Sequence, residues 1–256
     1  MYSPFEIERA AYCRPEAYRF FLAQLPILHT TQGLLRAAIA VSMHALDDVD
    51  PQRVERRIEV LALRVKERSP SGNPNALVAN LHEVLFREEG FRGNLERYYH
   101  ALNSYLPAVL NTRRGLPIIL SLIYKSVGEL AGLRIEGVNA PGHFMVRVEC
   151  ENAWAIVDPF FGGELLTREE AFQRLERVID RPLPRLDWLL GAPTHPEWLM
   201  RIIGNLLQLF ATEQRRDDLA AMTELAFALS YFTKTSVPQT APQPLEGSPP
   251  AGGDCL

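Results

Sequence analysis

The stretch from 116 to 131, LPIILSLIYKSVGELA, constrains this chain more than any other. It is apolar almost all round a helical wheel, with Pro117 in the first turn, where a missing backbone N–H breaks no bond. A helix with no polar face must be surrounded by other elements, so it belongs in the middle of a domain. The period then changes. RIEGVN, HFMVRVE and AWAIVD are short and rich in β-branched and aromatic residues, and CEN between the last two can make a tight turn. A central helix followed by a small antiparallel sheet is expected.

Most of the remainder reads as helix. Apolar residues recur at three- and four-residue spacing in PEAYRFFLAQL, QGLLRAAIAVSMHAL and PQRVERRIEVLALRVKER, the last with Asp50 as N-cap. They predict a helical N-terminal layer over residues 1–72. After the breaker SPSGNP, NALVANLHEVLFREE predicts a further helix that starts near Asn73 or Asn75 and is stopped by Gly90. TREEAFQRLERVI carries Thr167 and Glu170 at capping-box spacing. A proline-punctuated linker from 181 leads to two helices breaking near Arg215 to Asp218, a helical hairpin ending near 235. The last twenty or so residues, rich in Pro, Gly and Ser with little to bury, are expected to be disordered.

With 47% hydrophobic and 23% charged residues in 256, the chain suits one large domain or a domain with an appendage. A net charge of -4 gives no bulk reason to seek nucleic acid or an anionic membrane as partner. The N-terminus lacks a basic region followed by an apolar core, and no stretch approaches the roughly 20 apolar residues of a membrane span. A cytoplasmic location is expected. Cys13, Cys150 and Cys255 have neither metal-ligand spacing nor an even disulfide framework, so no metal and no cofactor are expected.

HFMVRVE opens with His143 and AWAIVD closes with Asp158. If the two strands turn near 151, symmetry about the Cys150–Glu151 bond sets this pair face to face, about 5 Å apart. A carboxylate on one imidazole nitrogen fixes the tautomer and leaves the other nitrogen as a base, which nucleophilic catalysis requires. The same spacing also fits a pair that only locks the hairpin.

The strings LFREEGFRGN, YYHALNSYLPAVLNTRRGLPI, GVNAPGHFMVRV and IVDPFFGGELLT, in this order, carry a resemblance over residues 47–175. The chain resembles the SirB1 family of bacterial proteins, whose core is a transglutaminase-like domain of the papain-like type, usually followed by a tetratricopeptide-like helical segment. The resemblance implies an α+β fold: the helical N-terminal layer, a transglutaminase-like core over 73–180, and a tetratricopeptide-like hairpin within 181–235. It also implies that His143 and Asp158 match the catalytic His and Asp, and that a cysteine nucleophile should stand at the start of the central helix.

That start reads Leu116, Pro117, Ile118, Ile119, and none can attack an acyl carbon. Where the family commonly shows a serine, this chain has Ile119. Ser121 lies two residues on, about 200° round the helix, and is expected to face elsewhere. Ser104 in LNSYL matches a family motif and could approach the site, although capping of the following turn is the favoured role for Asn103 and Ser104. Cys150 lies roughly 23 Å along the strand from His143 at 3.3 Å per residue. Cys13 fits a small buried hydrophobe.

Arg92, Asn94, Asn103, Arg113 and Arg114 are the candidate binding residues. The arginines could receive a carboxylate or phosphate; pairing with local acids to lock loops is the favoured alternative. Gly93, Gly115, Gly142, Gly162 and Gly163 are expected in turns or close backbone approaches and do not form a phosphate loop.

The leading functional expectation is a catalytically inactive transglutaminase-like protein that binds a protein or peptide partner, as a regulator or scaffold. The alternative is a peptide or amide hydrolase or acyl transferase that keeps His143 as base and Asp158 as its orienter and uses water, Ser104 or Ser121.

Overall fold

The computed structural model describes residues 9–151 and 153–236, so the segment beyond Ser236 that was expected to be disordered, with Cys255, lies outside the described residues. In the first part of the chain come α1 (Pro15–Gln24), α2 (Thr31–Ala45), α3 (Pro51–Glu67) and α4 (Pro74–His82). Asp50 caps α3 by accepting from the Gln52 N–H at 2.9 Å. Of the two asparagines expected near the start of α4, Asn73 is the cap, accepting from the Ala76 N–H at 3.1 Å. α4 runs on as a π-helical turn, Glu83–Glu88, which the apolar pattern could not distinguish from ordinary helix.

Two short elements follow that the sequence did not announce: β1 (Arg92–Gly93) and β2 (Arg114–Gly115), a parallel pair, with the 3-10 turn Ala101–Ser104 and α5 (Leu106–Thr112) between them. Then comes the central helix α6 (Pro117–Ala131). Its Ile119, Leu122, Ile123, Tyr124 and Val127 have no exposed surface, and each such side chain contributes about 1.5–3 kcal/mol relative to an exposed one. Lys125 is tolerated there because its ammonium donates to Glu129 and to the Ile135 carbonyl, both at 2.5 Å.

The strands β3 (Ile135–Ala140), β4 (His143–Glu149), β5 (Trp154–Asp158) and β6 (Glu164–Leu166) form one antiparallel sheet in that order. Phe144, Val146, Val148 and Val157 point into the main core with α6. Val138, Met145 and Leu166, on the opposite face, form a second cluster with Phe172 and Leu175 of α7 (Arg168–Ile179). The expected capping box opens α7, with Thr167 and Glu170 exchanging hydrogen bonds. The fold is therefore α+β, a small sheet between a central helix and a covering one.

The hairpin α8 (His195–Thr212) and α9 (Arg216–Ser236) breaks at 213–215, slightly earlier than expected, because Asp217 and Asp218 belong to the first turn of α9, where acidic side chains favour the helix dipole. It shares the main core. Trp198, Ile202, Leu206 and Phe210 of α8 and Met222 and Leu225 of α9 are buried in the same cluster as Phe21 and Ile39 of the N-terminal helices.

The register of β4 on β5 corrects an expectation. Val146 faces Val157, so the ladder continued by one residue sets Met145, not His143, opposite Asp158. The hairpin turns one residue later than symmetry about Cys150–Glu151 requires, closed by the Cys150 N–H donating to the Ala153 carbonyl at 2.9 Å. His143 and Asp158 still share a sheet face, because a two-residue offset preserves side-chain parity.

Candidate functional site

His143 is the first residue of β4, set there by a two-residue turn, Pro141–Gly142, after β3. Gly142 has φ of +70°, which a following glycine supplies without strain. Asp158 is the last residue of β5. The imidazole reaches diagonally to it, with Nε2 at 2.9 Å from Oδ2, and the two side chains are 3% and 0% exposed. With Asp158 ionised, Nε2–H donates. Nδ1 then carries the lone pair and has no hydrogen-bond partner among the described residues.

A third group, which the sequence reading missed, completes the pair. Arg174 of α7 donates through Nη1 to Asp158 Oδ2 at 3.0 Å and through Nη2 to Glu164. Asp158 Oδ1 also accepts from the Phe160 N–H at 3.1 Å. The buried carboxylate thus has three donors and a cationic neighbour, the conditions under which a buried charge is tolerated. A signal was available: Arg174 interrupts the apolar stripe of Ala171, Phe172 and Leu175, where a solvated residue does not belong. The imidazole is also walled by Phe160, edge-on at 5.8 Å, and by Phe161 at 6.0 Å, over which the Arg174 guanidinium stacks at 4.1 Å. Phe160 lies against Gly93, where a Cβ would come within 2.4 Å of the ring, so β1 needs a glycine at this crossing.

His143, but not the enclosed Asp158, opens on a cleft of about 500 Å³ that is also lined by Ser104, the α6 start Leu116, Pro117 and Ile118, the tyrosines Tyr98 and Tyr99, and one side of α8. The backbone ties these walls together, the Leu116 N–H donating to the Asn103 carbonyl at 3.0 Å. At the helix start only apolar side chains reach the cleft. Ile119 is fully buried and does not line it.

The structure separates the two serines. Ser104 lines the cleft with His143, and its hydroxyl has no partner among the described residues. Ser121 is sealed in the core, its hydroxyl enclosed and without a partner among the described residues. Neither cysteine among the described residues is activated. Burial, then the negative charges of Glu224 and Glu16, push the Cys13 thiol up to about 12, and burial also raises Cys150 near the hairpin tip.

Arg92, Asn94, Asn103, Arg113 and Arg114 do not line the cleft. Arg113 pairs with Glu89 at 2.6 Å, whereas Arg114 has no ion-pair partner among the described residues and donates to the Gly90 carbonyl at 2.9 Å. Arg92 is exposed beside Arg114 in the β1–β2 register. Asn103 does not cap the following helix, whose N-cap Tyr105 has no side-chain bond. It instead holds the carbonyls of Arg97 and Tyr98 at 2.6 and 3.0 Å and accepts from Asn94 at 2.9 Å. Among the described residues no group of three His, Cys, Asp or Glu side chains could hold a metal ion, and no helix is long and apolar enough to cross a membrane.

Residues 52–204 match the family described as the transglutaminase-like superfamily. Among curated relatives, a UPF0162 protein of Xylella fastidiosa is 32% identical over 197 residues, covering 74% of this chain and 69% of its own. F-box only protein 21 of Mus musculus is 35% identical over 138 residues, half of this chain but 21% of its own. A UPF0162 protein of Haemophilus influenzae is 29% identical over 142 residues, 56% of this chain and 49% of its own. No solved structure matches this chain significantly.

Proposed function

This chain belongs to the transglutaminase-like superfamily, and on that footing we propose that it is a member without a cysteine nucleophile, whose cleft binds an extended protein or peptide segment. One observation carries the reading: the helix start that the resemblance assigns to a thiolate presents Pro117 and Ile118 to the cleft, beside an intact His143–Asp158 pair. An apolar floor next to tyrosines and unpaired polar groups suits recognition, in which apolar area supplies affinity and a few polar groups set orientation. The closer relation to the SirB1 family, the tetratricopeptide-like character of α8–α9, a regulatory or scaffolding role and a cytoplasmic location belong to the same proposal.

The test is retention of a defined random hexapeptide library by the full chain. Tyr99, 82% exposed, and Gln208, also exposed, line the cleft without supporting the core. Retention that falls severalfold in Tyr99→Ala and Gln208→Ala is expected. No retained peptide, or retention indifferent to both substitutions, overturns the reading.

A second reading is favoured by the shared cleft of Ser104 and His143. In it Nδ1 takes the proton as Ser104 Oγ attacks an acyl carbon, and returns it to the leaving amine as the acyl-serine forms; water then releases the acid. A fluorophosphonate that labels Ser104 in the wild type but not in His143→Ala would establish it. Absence of labelling in both folded proteins removes it.

A further inference from the structure

α8 has two employments. Trp198, Leu199, Ile202, Ile203, Leu206 and Phe210 enter the core, whereas Arg201, Asn205, Gln208 and Thr212 line the cleft with His143. The latter recur at steps of four, three and four, so they form one row about 16 Å long at 1.5 Å per residue. Among the described residues the side-chain amides of Asn205 and Gln208 have no hydrogen-bond partner.

Arg201 heads the row. Its Nη1 donates to Asn139 Oδ1 and to the Ala140 carbonyl, and its Nη2 to the His143 carbonyl at 2.9 Å. All three acceptors are neutral. A guanidinium has five N–H groups, so Nε–H and one Nη2–H are left over, and Nε is not sealed from solvent. No Asp or Glu lines the cleft, and no acid pairs with Arg201 among the described residues. Burial is the main influence on this guanidinium and works against its charge, with the nearby Tyr98 opposing in second place. By contrast, Arg113, Arg147, Arg168, Arg174 and Arg185 all have carboxylates. A half-buried cation held in place by carbonyls, with spare donors and no counter-ion, is a receptor for an anion.

We propose that Arg201 receives a carboxylate, and that the occupant of the cleft is an extended peptide bearing an acidic side chain or a free C-terminus, its backbone paired by Asn205 and Gln208. This deepens the peptide-binding reading and rests on it. A carboxylate is favoured over an inorganic anion because the rest of the row offers amides and a hydroxyl rather than further cations.

The experiment offers the full chain a hexapeptide library in matched pairs, with Glu or Gln at each scanned position and a C-terminal acid or amide, and counts retained peptides by mass spectrometry. About tenfold enrichment of the acid is expected either at one scanned position or at the C-terminus, and which of the two distinguishes a side chain from a chain end. The net charge of -4 works against any bulk attraction of acidic peptides. Arg201→Gln should abolish the enrichment and Arg201→Lys should keep part of it. Since Arg201 also secures the turn before His143, the acid–amide comparison on the wild type decides even if a variant fails to fold. Peptides retained equally as acids and amides would overturn the role of Arg201 while leaving the binding reading intact. If no peptide is retained in either form, both fall.

Discussion

Replacing Asp158 by alanine removes the group on which three others depend. His143 Nε2–H and the Phe160 N–H lose their acceptor, and Arg174, 7% exposed at its side chain, keeps only Glu164. Breaking a buried ion pair by deleting one partner costs about 3–5 kcal/mol, because the remaining charge is left in a poorly solvating site. Glu164 is half exposed and already engaged, so it offsets a part, and about 3 kcal/mol is expected. With a urea slope near 3 kcal/mol per molar, the midpoint should fall by about 1 M. Asp158→Asn keeps an acceptor and the shape, and should lose less. Arg174→Met should cost a similar amount to Asp158→Ala, and the double variant Asp158→Asn/Arg174→Met should be more stable than the sum of its singles predicts, since it removes both charges. Urea unfolding followed by far-ultraviolet circular dichroism measures all four. An Asp158→Ala midpoint within about 0.2 M of wild type would refute the linkage of these groups.

Three further outcomes follow from local geometry. His82 sits against the Tyr124 hydroxyl at 2.9 Å, and burial lowers it from 6.5 to about 4. The unfolded chain therefore binds a proton at higher pH than the fold does, so stability is lost as pH falls from 6.5 towards 4, by at most about 3 kcal/mol from this group; urea titrations of His82→Gln should show a flatter pH dependence over that window. Gly93→Ala drives a methyl into the Phe160 ring beside His143 and should cost about 1–3 kcal/mol, with changed chemical shifts at the His143 ring in nuclear magnetic resonance spectra. Thr194→Ala removes the capping box of α8, at about 1 kcal/mol, read as a melting temperature lower by roughly 2–4 °C.

The central helix, the three strands that follow it and the capping box of α7 were legible because each is written in local periodicity or local hydrogen-bonding chemistry. His143 and Asp158 were legible as neighbours even though the register was two residues off, because parity is conserved under such a slip. What local pattern could not convey was what reaches the site from elsewhere. β1 and β2 are two residues each and pair across an intervening helix. Arg174 left a trace, as a charge on an apolar stripe. Arg201, Asn205 and Gln208 left none, because a polar row on an amphipathic helix reads as a solvated face until the fold places it over a cleft.

The central claim is that the cleft binds without cysteine chemistry. Its most direct test incubates a soluble proteome with the wild type or with His143→Ala, and scores new peptide termini, deamidated glutamines and crosslinks by mass spectrometry. Both samples should match the untreated control while both proteins remain folded. Modifications made by the wild type and absent with His143→Ala would contradict the claim and put the Ser104 reading, or a water-activating one, in its place.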